Sequence, residues 1–145
     1  FLFQLPWLPE RLIRFSKGRF LSFLWKLWSP DFNDNKHVEQ VISSMLDGNS
    51  IEDTLAYYRA AIQEGYRDPQ HLEVFNRLNN KIQSPTRILC GHQDMRKEML
   101  PRAADCFEDS AQYQWRLVND AGHFLHREQP EVVNDEILKW ITQPN

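Results

Sequence analysis

Two stretches of this sequence constrain its fold more than anything else in it. Arg87-Ile88-Leu89-Cys90-Gly91-His92-Gln93-Asp94 and Asn119-Asp120-Ala121-Gly122-His123-Phe124-Leu125-His126 each belong to a short apolar run that breaks at a glycine and then presents a titratable side chain, Asp94 in the first and His123 in the second. A strand holds its backbone rigidly, and a glycine just past its end lets the chain turn so that the next side chains project from the sheet edge. Around these stretches residues 86–145 alternate in pattern. Thr86 to Cys90 reads as a strand, Leu100 to Phe107 as a helix, Gln114 to Val118 as a strand, and Pro130 to Ile141 as a helix with Pro at its first turn and Glu131 near its positive end. Strand, helix, strand, helix is the rhythm of an α/β fold with a parallel sheet. Two strands do not complete such a sheet, whose strands need neighbours on both sides and helices on both faces.

Gly91-His92-Gln93-Asp94, Ala121-Gly122-His123-Phe124 and Glu128-Gln129-Pro130-Glu131-Val132-Val133-Asn134 occur in that order, with Asp94 and His123 29 positions apart. Together they resemble the last third of an α/β-hydrolase of the epoxide hydrolase and haloalkane dehalogenase branch. In α/β-hydrolases the triad runs nucleophile, acid, base along the chain. The resemblance therefore implies Asp94 as the acid and His123 as the base, in the C-terminal part of an α/β-hydrolase fold with an incomplete sheet. The nucleophile of such enzymes sits on a Gly-x-Ser-x-Gly elbow or its Asp equivalent, and no such elbow occurs in these 145 residues. With Phe1 opening the chain in what reads as mid-domain sequence, the expectation is the C-terminal half of a larger hydrolase, its nucleophile lying before Phe1 and its missing N-terminal half needed for activity.

Residues 1–84 read as helical. Pro9 restarts a helix through Phe15, and Phe20 to Trp28 is apolar on almost every side. Val38, Val41, Ile42, Met45 and Leu46 recur at helical spacing until Asp47-Gly48-Asn49. Ser50 and Asp53 have capping-box spacing, Gly65 stands where a C-terminal cap belongs, and Ile51, Leu55, Tyr58 and Ile62 form one stripe between them. A weaker helical stretch runs from Gln70 to Leu78, and Ser84-Pro85 marks the boundary with residues 85–145. Thr54-Leu55-Ala56-Tyr57-Tyr58-Arg59-Ala60 is similar to the cap segment in which epoxide hydrolases place a Tyr before an Arg. The resemblance implies a helical cap or lid over residues 1–84, the last part of the core over residues 85–145, and a role for Tyr58 as the acid that protonates the opening epoxide. A buried phenol suits that role, because ring opening develops alkoxide charge. The bland alternative for Tyr58 is a core position on an amphipathic helix.

The resemblance implies a small-molecule substrate: an apolar epoxide, with a haloalkane or haloacid or a simple ester as alternatives. For a dehalogenase, Tyr58 or one of Trp7, Trp25 and Trp28 would hold the departing halide; for an esterase, the missing nucleophile would be Ser. A non-catalytic remnant or interaction module is the reading from another class, since a triad without its nucleophile performs no covalent catalysis. No cofactor or metal is implied. His123 and His126 form an H-x-x-H, but at a Gly-containing strand end rather than on a helix, and His37 and His71 stand in polar surroundings and read as solvent-facing.

The net charge of −3 implies no nucleic-acid partner. Arg11, Arg14, Lys17, Arg19 and Lys26 face only Glu10 within residues 1–28, but Pro6 and Pro9 interrupt what would otherwise suit an interfacial membrane helix. No apolar run approaches the roughly 20 residues of a membrane span. Cys90 and Cys106 form no C-x-x-C; both read as small buried hydrophobes, and a reduced, cytoplasmic setting is the expectation.

Overall fold

The structure, a computed structural model, describes residues 2–77, 80–109 and 111–142, so the readings that touch Phe1, Leu78 and Asn79 lie outside the described residues. The chain divides into two units, Phe1–Trp25 with Asp34–Asn79, and Lys26–Asn33 with Asn80–Asn145. The sequence suggests one cut at Pro85; the segment Lys26–Asn33 instead clusters with the later residues.

The first unit is helical. A 3-10 turn (Leu2–Gln4) precedes α1 (Leu8–Phe15), which has Pro9 in its first turn, and α2 (Arg19–Trp28) starts in this unit. α3 (Asn35–Leu46) is capped by Asp34, whose carboxylate accepts the His37 N–H at 3.0 Å, and α4 (Ser50–Ile62) follows a turn in which Gly48 takes φ +52°. α5 (Leu72–Arg77) follows a 3-10 turn at Pro69–His71. Ile13, Ile51 and Leu55 form the core, with Phe3, Phe20, Leu21 and Leu46 packed around them.

The stripe on α4 is only half buried. Ile51 and Leu55 are fully covered, whereas Tyr58 and Ile62 are exposed and Arg59 is buried in their place. Its guanidinium donates to Glu10 Oε1 at 2.6 Å and to the Leu5 carbonyl at 2.5 Å, stitching α4 to α1 and the segment before it. The hydrogen bond from Arg59 holds the Glu10 carboxyl below its ordinary range. Ser50 is the first residue of α4 rather than its cap; Asn49 precedes it and no side chain caps the helix. Gly65 lies beyond the end at Ile62, inside a 3-10 turn (Glu64–Tyr66), because the chain leaves α4 through extended Gln63.

In the second unit β1 (Thr86–Gly91) and β2 (Tyr113–Val118) pair in parallel, with Thr86 opposite Tyr113 and Gly91 opposite Val118. This is the α/β rhythm expected, in a sheet of two strands. The connection between them is tighter than a helix: 3-10 turns at Lys97–Met99 and Pro101–Cys106 replace the expected helix from Leu100 to Phe107. Bonds from Ala103 N–H to Leu100 O and from Phe107 N–H to Ala104 O span three residues rather than four, and Pro101 offers no donor. Cys106 ends this turn exposed, correcting its expected burial, whereas Cys90 in β1 is buried. Burial also pushes the Cys90 thiol up. α6 (Leu125–Glu128) and α7 (Pro130–Ile141) complete the unit. α7 has the bounds read from sequence, and it buries Val133 and Glu136.

The strand-end glycines are there for lack of room. Neither Gly91 nor Gly122 takes a positive φ; the left-handed residue in this region is Asp120, at φ +52°. A Cβ on Gly91 would stand 2.0 Å from the Gly122 carbonyl oxygen, and one on Gly122 would stand 2.6 Å from the Trp28 carbonyl oxygen and from Ser29 Cα. The turn is made by a neighbouring Asp, and the glycines allow three backbones to meet.

Candidate active site

Parallel pairing places the carboxyl ends of β1 and β2 at one edge, the position where open α/β sheets bind ligands. The loops leaving the two strands are tied to each other by backbone bonds. His92 N–H donates to Val118 O at 2.8 Å, and Gln93 N–H to Ala121 O at 2.9 Å. These bonds bring Asp94 against His123: His123 Nδ1 lies 2.7 Å from Asp94 Oδ2. The other Asp94 oxygen accepts the Arg96 N–H at 2.8 Å, so both carboxylate oxygens are engaged and the group is buried, at 6% exposure.

An ionised carboxylate only accepts hydrogen bonds, so Asp94 requires the proton on Nδ1 and leaves Nε2 of the neutral ring as the basic nitrogen. The His123 side chain is 31% exposed, open enough to reach a solvent molecule or a ligand. Aromatic rings flank it. The Phe124 ring is 5.2 Å away and edge-on, the Trp28 ring 5.6 Å away and tilted, and Phe32 packs 6.5 Å from Phe124.

Of the three residues singled out in sequence, Asp94 and His123 meet in the second unit. Tyr58 lies in the first, on α4, at 38% exposure. Its ring stands 5.4 Å from Phe3 and 5.9 Å from Tyr57, and its carbonyl accepts Gln4 Nε2 at 2.9 Å. The other histidines take varied places. His92 and His126 are exposed, as is His71, whereas His37 is half-buried with its ring edge on Trp25, 5.8 Å away, rather than facing solvent. Among the described residues no group of three or more His, Cys, Asp or Glu could hold a metal ion. Nor is any described helix long and apolar enough to cross a membrane.

Sequence reasoning gave no site role to Ser29 or to the Glu128 side chain, and considered Trp28 only as a cap tryptophan. Ser29 stands beside a proline in a turn-rich stretch 95 residues before Phe124, and nothing local in the sequence signals that it hydrogen-bonds the His123 loop.

No protein-family model matches the chain, and no curated protein matches it. Solved structures do. Cfl2 from Burkholderia cenocepacia superposes with a TM-score of 0.72 at 20% identity, over 95% of this chain and 45% of that one. The epoxide hydrolase CorEH superposes with a TM-score of 0.58 at 15% identity, over 92% of this chain and 52% of that one. The chain carries part of an α/β-hydrolase fold. It spans about half the length of these two proteins.

Proposed function

We propose that this chain is the cap and acid–base half of an α/β-hydrolase that opens epoxides through a covalent ester. The observation that carries the reading is the 2.7 Å contact between Asp94 and His123 at the carboxyl ends of two parallel strands, in a chain with the fold of part of an epoxide hydrolase. The nucleophile is an Asp in the portion of the hydrolase before Phe1. Its carboxylate attacks an epoxide carbon, the carbon–oxygen bond of the ring breaks, and the alkoxide takes the Tyr58 phenol proton. Water then attacks the ester carbonyl while His123 Nε2 removes its proton and Asp94 stabilises the imidazolium. Collapse releases the diol and regenerates the carboxylate, and the imidazolium proton returns to the Tyr58 phenolate through solvent.

Trp28 favours a second reading. Its ring beside His123 is an indole N–H donor close to the reacting base, which suits a leaving halide and hence a haloalkane dehalogenase with the same Asp–His chemistry.

The test is hydrolysis of a chromogenic epoxide, a haloalkane and a simple ester by the full-length protein, wild type against His123→Ala and Tyr58→Phe. Epoxide turnover abolished by the first change and strongly reduced by the second is the expected result. Turnover of the ester alone, untouched by Tyr58→Phe, would assign a Ser nucleophile and return Tyr58 to a packing role.

A further inference from the structure

The loop carrying His123 is gripped by groups outside the Asp–His pair. Gly122 N–H donates to both Glu128 oxygens, at 3.0 and 3.1 Å. His123 N–H donates to the Trp28 carbonyl at 2.8 Å, and Phe124 N–H to Ser29 Oγ at 3.1 Å. Ser29 Oγ–H in turn donates to Glu128 Oε1 at 2.7 Å, which joins the two ends of the grip. Three successive peptide N–H groups are thus taken by one small network, and Ser29, at 1% exposure, is its buried centre.

The same turn reaches the other loop. Phe32 N–H closes on Ser29 O at 3.2 Å, and within that turn Asp31 Oδ2 accepts Gln93 Nε2 at 2.5 Å, one residue before Asp94. The turn Ser29–Phe32 therefore clips the Asp94 loop to the His123 loop. Fixing the peptides on either side of His123 fixes its Cα–Cβ direction, while Asp94, at Nδ1, fixes the rotation of the ring. A base held at its backbone and at Nδ1 has little freedom left, and an error of about 1 Å in such placement costs on the order of 100-fold in rate.

We propose that Ser29 and Glu128 are positioning residues for His123, joined through the Ser29–Phe32 turn into a clip that sets the imidazole against Asp94. The proposal rests on the reading of His123 as a general base. The clip makes chemical sense of Glu128: among the described residues its carboxylate forms no ion pair and accepts from Gly122 N–H and the Ser29 hydroxyl. A Gln at 128 keeps one carbonyl oxygen able to accept both bonds, whereas an Ala removes them.

The experiment uses the full-length protein with Ser29→Ala, Glu128→Ala and Glu128→Gln. It reads kcat and KM on the substrate that the panel above identifies, together with long-range 1H–15N spectra of the His123 ring, assigned by the signals lost in His123→Ala. Both Ala variants should lower kcat by about 100-fold with KM near wild type, and should lose the single Nδ1–H tautomer signal. Glu128→Gln should restore most of both. Glu136→Gln, a change in an ion cluster elsewhere in the same unit, should lower melting temperature without moving the His123 signals. If Ser29→Ala does not fold, Ser29→Cys, close in volume but a weaker hydrogen-bonding group, takes its place, with the same tautomer loss expected. Ala variants that fold and keep both the His123 signals and kcat would overturn the clip. The ring spectra need no substrate, so a protein that hydrolyses none of the three compounds sinks the catalytic reading while the spectra still decide whether Ser29 and Glu128 hold the ring.

Discussion

At the scale of single residues, the site depends on side chains that are absent. Gly91 and Gly122 meet where three backbone segments converge, and a methyl on Gly91 would stand 2.0 Å from a carbonyl oxygen that has no flexible end to move. Gly91→Ala should therefore destabilise the protein by about 3 kcal/mol, the upper part of the usual overpacking range. Gly65 has nothing within 4 Å of its would-be Cβ and an ordinary φ. Gly65→Ala should be neutral or stabilising by about 0.5 kcal/mol, through a less flexible unfolded chain. Urea midpoints of the two variants check both; equal effects would show that close approach is not what the Gly91 position requires. The sequence marked Gly91 and Gly122 as special but for the wrong reason. A glycine needed for its φ and one needed for its missing Cβ look identical until the neighbouring backbone, here from Trp28 and Ser29, is in place.

Among elements, the parts legible in sequence are those set by local chemistry. α7 starts at Pro130 and ends at Ile141 as its periodicity indicates, and β1 and β2 fall within a residue of their apolar runs. What was not legible depends on distant partners. Arg59 interrupts an apolar stripe and is buried because Glu10 and the Leu5 carbonyl await it. Glu136, a charged residue on a helix beside the sheet, is 2% exposed. Burial alone would push its carboxyl up, but the Arg116 hydrogen bond and the Arg116 and Arg87 charges outweigh that and hold it below its ordinary value of 4.5. The sign follows from proton binding: as pH falls, the unfolded chain takes up this proton before the native state does. The stabilisation is complete above about pH 4.5 and is lost as pH falls through the lower native value. Melting temperatures across the acid range should fall less steeply in Glu136→Gln than in wild type, from a lower plateau at neutral pH. Parallel acid limbs would contradict the assignment. Glu136→Ala should cost about 3 kcal/mol at neutral pH, the low end for one side of a buried pair, because Arg116 remains half exposed.

For the whole molecule, the two-stranded sheet sets how the chain behaves on its own. β1 pairs only with β2 among the described strands, and a cavity of about 250 Å³ lies beside it, lined by Arg87, Leu89, Glu136, Ile137 and Trp140. Leu138 and Ile141 on α7 and Trp115 on β2 are exposed as well. An open strand edge beside exposed apolar side chains favours association between chains. The 145-residue chain expressed alone should elute as aggregate or remain insoluble, and light scattering that returned a monodisperse monomer of 17.3 kDa would contradict this. That two strands fall short of a sheet was legible from the strand count alone. Which residues would be left uncovered was not, since that depends on how α7 lies against β1.

The proposed role of His123, activating the water that releases a covalent ester, can be assayed by stopping that step. Full-length protein carrying His123→Gln is mixed with an epoxide and its intact mass is measured. Removing the base should leave attack by the upstream carboxylate possible while blocking hydrolysis. The expected result is a stable adduct of one substrate mass, mapping to an Asp on the strand-to-helix elbow, with diol formation abolished. A His123→Gln variant that forms diol at the wild-type rate and accumulates no adduct would contradict it.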